Sequence, residues 1–185
     1  MQTSYLSSVI KQFEYYKSLG DKTFNQLSLE ELQKEFAEDS NSVAIIVKHI
    51  VGNMLSRWTN FLTEDGEKEW RQRDLEFVDT YASKDELIES WDKGWNCLFD
   101  AITPLTENDL ERIIYIRNQG HTVTEAINRQ LAHYAYHIGQ IVFLGKLVKG
   151  KNWPSLSIPK GDSSKYNAEK FSKEKERRHF TDDLQ

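Results

Sequence analysis

Apolar residues return at three- and four-residue steps from Ser4 to Leu19 (Tyr5, Leu6, Val9, Ile10, Phe13, Tyr16), which predicts an amphipathic helix ended by Gly20. From Ser40 to Leu62 the pattern is apolar nearly all round, with Val43, Ala44, Ile45, Ile46, Val47, Ile50, Val51, Met54, Leu55 and Trp58, so this helix is expected to be covered on most sides. A third helix is predicted from Ser83 through Leu87, Ile88, Trp91, Trp95, Leu98, Phe99 and Ile102, stopping near Pro104. The last long one opens at Thr122 and runs to about Val148, before Gly150 and Pro154. Two of these starts, Ser83–Glu86 and Thr122–Glu125, and a short turn opening at Ser28–Glu31 carry a hydroxyl followed three residues later by Glu. That is the spacing at which the two side chains can satisfy each other's orphan amides.

The segments between are polar. Thr63 to Thr80 holds seven carboxylates, basic residues and a few aromatics with no sustained period, and reads as a long, partly ordered connection. Ile113 to Arg117 reads as a short extended piece turning at Asn118-Gln119-Gly120. The fold class expected is therefore all-α, a four-helix bundle over residues 1–150 with that extended or hairpin piece before the last long helix. An irregular C-terminal extension, 151–185, would pack on or fray from the same domain, its run Lys173 to Arg178 forming an exposed helical face with local ion pairs.

Composition narrows the classes of function. Hydrophobic residues are only 38% of the chain and mean hydropathy is -0.66, yet 9 Phe, 8 Tyr and 5 Trp supply large apolar area from few positions. A net charge of -5 with mixed signs offers no broad basic field, so nucleic acid is not an expected partner. No apolar stretch approaches the ~20 residues of a membrane span, and the N-terminus lacks a basic region followed by an apolar block, so a cytoplasmic location is expected. The single Cys97, among Trp95, Leu98 and Phe99, reads as a packed, inert thiol.

The chemistry concentrates in three histidines. His133 and His137 are four residues apart, so on a helix they project within about 40° of each other, one turn apart. They interrupt the stripe formed by Val123, Ala126, Ile127, Gln130, Ile141, Leu144 and Val148, and His49 interrupts the most apolar helix among Ile45, Ile46, Ile50 and Val51. Burying imidazoles costs free energy unless each is hydrogen-bonded or coordinated. A shared divalent ion would compensate all three; backbone carbonyls or tyrosine hydroxyls could do so singly. Gln130 and Gln140 flank the pair and are candidates to orient the rings or a bound water, and Gly139 is placed to let a neighbouring helix approach. Neither histidine is followed by Glu, so the protease HExxH base is absent, and Glu125 is explained as a cap. His121 reads as a loop residue at the helix start and His179 as a solvated one, while Walker, GxGxxG and paired CxxC motifs are absent.

A histidine in the second long helix followed by a late helix reading TVTEAINRQLAHYAYHIGQI resembles the DinB-like family of metal-binding four-helix bundles, which includes YfiT-like proteins. The likeness covers roughly Ser4 to Val148, its most specific part is HxxxHxGQ, and the tail after Trp153 looks like that of a branch of uncharacterised function. The resemblance implies a divalent site from three histidines, carried onto His49, His133 and His137; imidazole ligands do not choose among zinc, nickel, iron and manganese as the ion. The resemblance also implies a bacterial source and a metal-dependent enzyme of thiol S-transferase type, with a small-molecule substrate such as a low-molecular-weight thiol. A homodimer paired through helix faces is a further implication, and the alternative is a non-catalytic bundle held together by the metal or self-associating.

Overall fold

The computed structural model describes residues 4–183. Helices α1 (Tyr5–Phe24), α2 (Leu29–Leu32), α3 (Val43–Trp58), α4 (Lys84–Ile102), α5 (Val123–Lys149) and α6 (Ser163–Phe171) dominate, with one antiparallel hairpin, β1 (Ile113–Ile116) and β2 (Gln119–Thr122), before α5. The four long helices form a ring in which α3 packs on α4 and α5, and α1 packs on α5 and α4. This is the expected all-α bundle, and among the described residues no helix is long and apolar enough to cross a membrane.

The core is aromatic, as the composition suggests. Trp95 sits at its middle, with ring centroids 5.4 Å from Trp91, 5.9 Å from Tyr134 and 6.3 Å from Phe13, in the edge-on geometry that aromatic quadrupoles favour. Around it α3 buries residues on nearly every side, including Val43, Ala44, Val47, Ile50 and Met54. Gly20 does not end the first helix, which continues to Phe24, because the missing side chain is what lets the Trp91 indole lie against α1. Asp21, one residue further, accepts a hydrogen bond from Trp91 Nε1 at 2.8 Å.

Capping follows the sequence at two of the three expected places. Ser28 with Glu31 and Thr122 with Glu125 form reciprocal capping boxes, whereas at α4 only Ser83 caps Glu86 and the Glu86 carboxylate accepts from Ala82 N instead. Ser42 caps α3, its hydroxyl accepting from Ile45 N. The hairpin turns at Arg117-Asn118, one residue earlier than expected, with φ of 55° and 58°. Both central residues are left-handed, as the twist of a two-residue hairpin demands. Ile114 and Ile116 point into the core.

Two polar segments are better organised than their sequence suggests. Residues 63–80 include a 3-10 turn at Arg73–Phe77 and are pinned to the hairpin: Gly66 N donates to Tyr115 O at 2.8 Å, and Asp65 accepts from the amides of Arg117 and Asn118 at 2.8 Å each. The C-terminal extension contains α6 and then returns to α1, where Phe180 meets the Tyr15 ring, Thr181 is buried and Lys11 pairs with Asp182. Residues 173–178 are exposed and carry local ion pairs but are irregular, not helical.

Candidate metal centre

The α5 wall is built from one helix alone. The Thr122–Glu125 box starts it, and two and a half to four turns later His133 and His137 stand one above the other with ring centroids 4.7 Å apart. Each donates its Nδ1 hydrogen to a glutamine three residues away, His137 to Gln140 Oε1 at 2.8 Å and His133 to Gln130 Oε1 at 3.4 Å. With Nδ1 protonated, a neutral ring has its lone pair on Nε2. The two Nε2 atoms lie 3.1 Å apart, so two lone pairs face each other unless a cation lies between them. Nitrogens bound at about 2.0–2.1 Å to one tetrahedral ion are about 3.3–3.4 Å apart, a few tenths of an ångström beyond that separation.

The α3 wall draws on distant chain. His49 donates Nδ1 to Glu76 Oε2 at 2.9 Å, and Glu76 in turn accepts from Arg71, Nε to Oε1 at 2.7 Å and Nη2 to Oε2 at 3.0 Å. Gly52, one turn after His49, makes room for this: a methyl group there would overlap the Glu76 carboxylate. Phe77 stacks on the His49 ring at 5.1 Å and covers its outer face. His49 thus turns Nε2 toward α5, its ring 5.0 Å from His137 and 5.5 Å from His133. One nitrogen from each of the three histidines lies within 4.8 Å of the others, close enough to hold one ion.

Below the rings, Tyr134 is fully buried. Its hydroxyl donates to Asn53 Oδ1 at 3.0 Å and accepts from Trp58 Nε1 at 3.1 Å, so the buried phenol is satisfied on both sides.

The electrostatics favour neutral rings at His133 and His137 and an ionised Glu76. Burial, then His137 and His49, then the charges of Arg57 and Arg71, push His133 down to about 3. Burial also pushes His137 down, against its hydrogen bond to Gln140. Burial alone would raise Glu76, but the bonds from His49 and Arg71 and the Arg71 charge outweigh it and hold the carboxyl below its ordinary range. Neutral imidazole is the form that can bind a metal ion.

His49 is buried, as its helix predicts, but His133 and His137 are half-buried. The buried stripe of α5 runs through Val123, Ala126, Ile127, Gln130, Tyr134, Ile138 and Ile141, and the two histidines lie on its edge, where solvent or a ligand reaches them. Leu144 and Val148 are likewise partly covered, and a methyl on Gly139 would meet open space, so no helix approaches there. His121 lies on β2, with Nε2 3.5 Å from Arg129, and takes no part in the cluster. His179 is half-buried, not solvated: it contacts Ser8 at 3.1 Å and Thr181 at 2.7 Å and helps hold the tail to α1.

A cavity of about 260 Å³ opens beside the cluster, sharing His49 and His133 as walls and lined otherwise by arginines with Asn53 and Gln130. A larger groove of about 890 Å³, between the end of α3 and α4, contains Cys97 but none of the three histidines. Cys97 there is half-buried against Thr59.

Glu76, Arg71 and the cavity arginines are the residues that sequence reasoning missed. Arg71, Arg73 and Glu76 sit in a segment without period, where the one available signal was compositional, a dense mixture of carboxylates and arginines between two apolar helices; Arg57, Arg117 and Arg129 come from α3, the hairpin turn and α5.

The model of one protein family, DUF1572, described as a protein of unknown function, matches residues 1–162. That span contains all three histidines, Glu76 and every cavity residue. No curated protein and no solved structure matches the chain.

Proposed function

The chain belongs to the DUF1572 family, a family without an assigned activity, and we propose from the geometry that it is a divalent-metal-binding enzyme working on a small molecule at His49, His133 and His137. The observation that carries this reading is the shared orientation of the three rings. Each spends Nδ1 on an acceptor, Glu76, Gln130 or Gln140, and so offers Nε2 to a common point. The 3.1 Å approach of the His133 and His137 Nε2 atoms puts both lone pairs where a single cation would take them. Three imidazoles leave a coordination position for water or substrate, unlike a closed structural site. Histidine nitrogens suit zinc, nickel or iron and accept manganese, and the donor set does not choose among them.

When bound, such an ion acts as a Lewis acid that makes a coordinated water or thiol acidic near neutral pH. The protein's part is orientation. Glu76 and the two glutamines keep a proton on each Nδ1, Arg71 keeps Glu76 ionised, and Phe77 shields one face of His49. The finer reading, supported by the resemblance to DinB-like bundles, is thiol S-transfer. A low-molecular-weight thiol gives up its proton, its sulfur bonds to an electrophilic carbon, and the leaving group departs with its electron pair. Among the described residues the carboxylate at the rings is Glu76, which is committed to His49 and Arg71 and is not a free base, and this argues against peptide hydrolysis.

Elemental analysis of protein purified without added metal tests the site: stoichiometric ion in the wild type, and none in His49→Ala or His133→Ala, is the expected result. Turnover of small thiols with a generic aromatic electrophile tests the activity. Equal rates for wild type and His137→Ala would sink the enzyme reading and leave a metal that only staples α3 to α5.

A further inference from the structure

We propose that the arginine-lined cavity beside the three histidines is a subsite for an oxyanion, a carboxylate or phosphate, carried by the small molecule that reacts there; the final clause rests on the metal-centre reading, the anion site itself does not. Five of the chain's eight arginines, Arg57, Arg71, Arg73, Arg117 and Arg129, line this one cavity, and none of its sixteen lysines does. In a chain of net charge -5 this gathers positive charge at one place. Guanidinium is also the group whose planar fork matches a carboxylate or phosphate with two parallel hydrogen bonds, which an ammonium cannot do.

Part of this charge is structural. Glu67 alone serves Arg57 at 3.0 Å, Arg71 at 3.4 Å and Arg117 at 3.1 Å, tying α3, the 63–80 segment and the hairpin together. Glu76 holds Arg71, and Asp65 holds the hairpin turn. The five guanidinium groups therefore face three carboxylates, a surplus of two positive charges before any metal ion is counted. Arg57 is itself buried, with Nε lacking a partner among the described residues. Arg73 and Arg129 make no ion pair among the described residues. Arg73 lies over the Phe77 ring and Arg129 reaches only His121, so two exposed guanidinium groups from different elements meet at one cavity without a counter-charge. At about 260 Å³ the space falls just below the usual range of pockets for drug-sized ligands, and suits a small acid. His49 and His133 form its inner wall, so an anion seated on the arginines holds the rest of its molecule next to the position where the three Nε2 atoms converge.

The test is calorimetric titration of malonate, inorganic phosphate and neutral malonamide into chelated and into metal-reconstituted protein at fixed ionic strength. The expected result is that malonate or phosphate binds the chelated wild type while malonamide does not, the stronger of the two identifying the oxyanion. Arg73→Gln/Arg129→Gln is expected to weaken that binding about tenfold or more, as for loss of charge-assisted hydrogen bonds. Its melting temperature and metal stoichiometry should stay at wild-type values. Malonamide binding as well as malonate, no anion binding to chelated protein, or equal affinity in the double variant would overturn the subsite. Failure of the metal reading would instead appear as protein that takes up no ion while still binding the anion.

Discussion

The two walls of the histidine cluster reach the same end by different means. On α5, His133 and His137 and their partners Gln130 and Gln140 lie within eleven consecutive residues of a single helix, so helical geometry alone sets their relation. On α3, His49 depends on a carboxylate 27 residues away, which depends on Arg71 and on the absence of a side chain at Gly52. One wall is local and neutral; the other is assembled and charged. A histidine oriented by a carboxylate is the more basic ligand, and one oriented by an amide is the more easily preserved.

Perturbing the two walls separately should expose this difference. Removing a ligand is the largest effect and should not distinguish them: His137→Ala and His49→Ala are both expected to reduce bound metal to background in elemental analysis. Glu76→Gln comes next, weakening metal affinity ~10–100-fold in competition with a chromogenic chelator. It should also lower stability by about 2 kcal/mol in denaturant titration, since Arg71 loses a charged partner in a buried place. Gly52→Ala touches no ligand but displaces the Glu76 carboxylate, so its metal affinity should move toward that of Glu76→Gln. On the other wall Gln140→Leu removes a neutral acceptor and should cost only several-fold, about half the carboxylate effect in free energy. If Gln140→Leu cost more than Glu76→Gln, the contrast between the walls would collapse. The mildest change is with pH in chelated protein. His133 is held at about 3 in the fold against 6.5 for the free side chain, so its contribution is complete above about pH 6.5 and is lost as pH falls toward 3, because the unfolded chain takes up the proton first. Unfolding free energy should fall from pH 7 to pH 5, and the fall should shrink in His133→Gln.

What could be read in the sequence follows the same division. The α5 pair, the Thr122–Glu125 cap and His49 within an apolar helix were legible, because helical periodicity converts spacing directly into a shared face. Glu76 and Arg71 were not, because residues 63–80 have no period and their structure comes from what they touch, namely α3 and the hairpin. Gly20 misled for a related reason: a glycine after an apolar repeat is a helix stop by local rules, and here packing against Trp91 overrides them. The half-burial of His133 and His137 was also hidden. Periodicity places a residue on a stripe, but only the neighbouring helices decide where the edge of that stripe meets solvent. The tail's helix α6 and its return to α1 carried no apolar repeat to announce them.

The distance along the chain between the walls has a kinetic consequence. The Trp58–Tyr134 hydrogen bond beneath the site spans 76 residues, so nothing resembling the centre exists until α3 and α5 have docked and residues 63–80 have closed over His49. An ion that recognises only this finished arrangement has no purchase on the folding transition state. In stopped-flow measurements it should leave the refolding limb where it is and slow unfolding, making the metal a brake on the exit from the native state and not a template for reaching it.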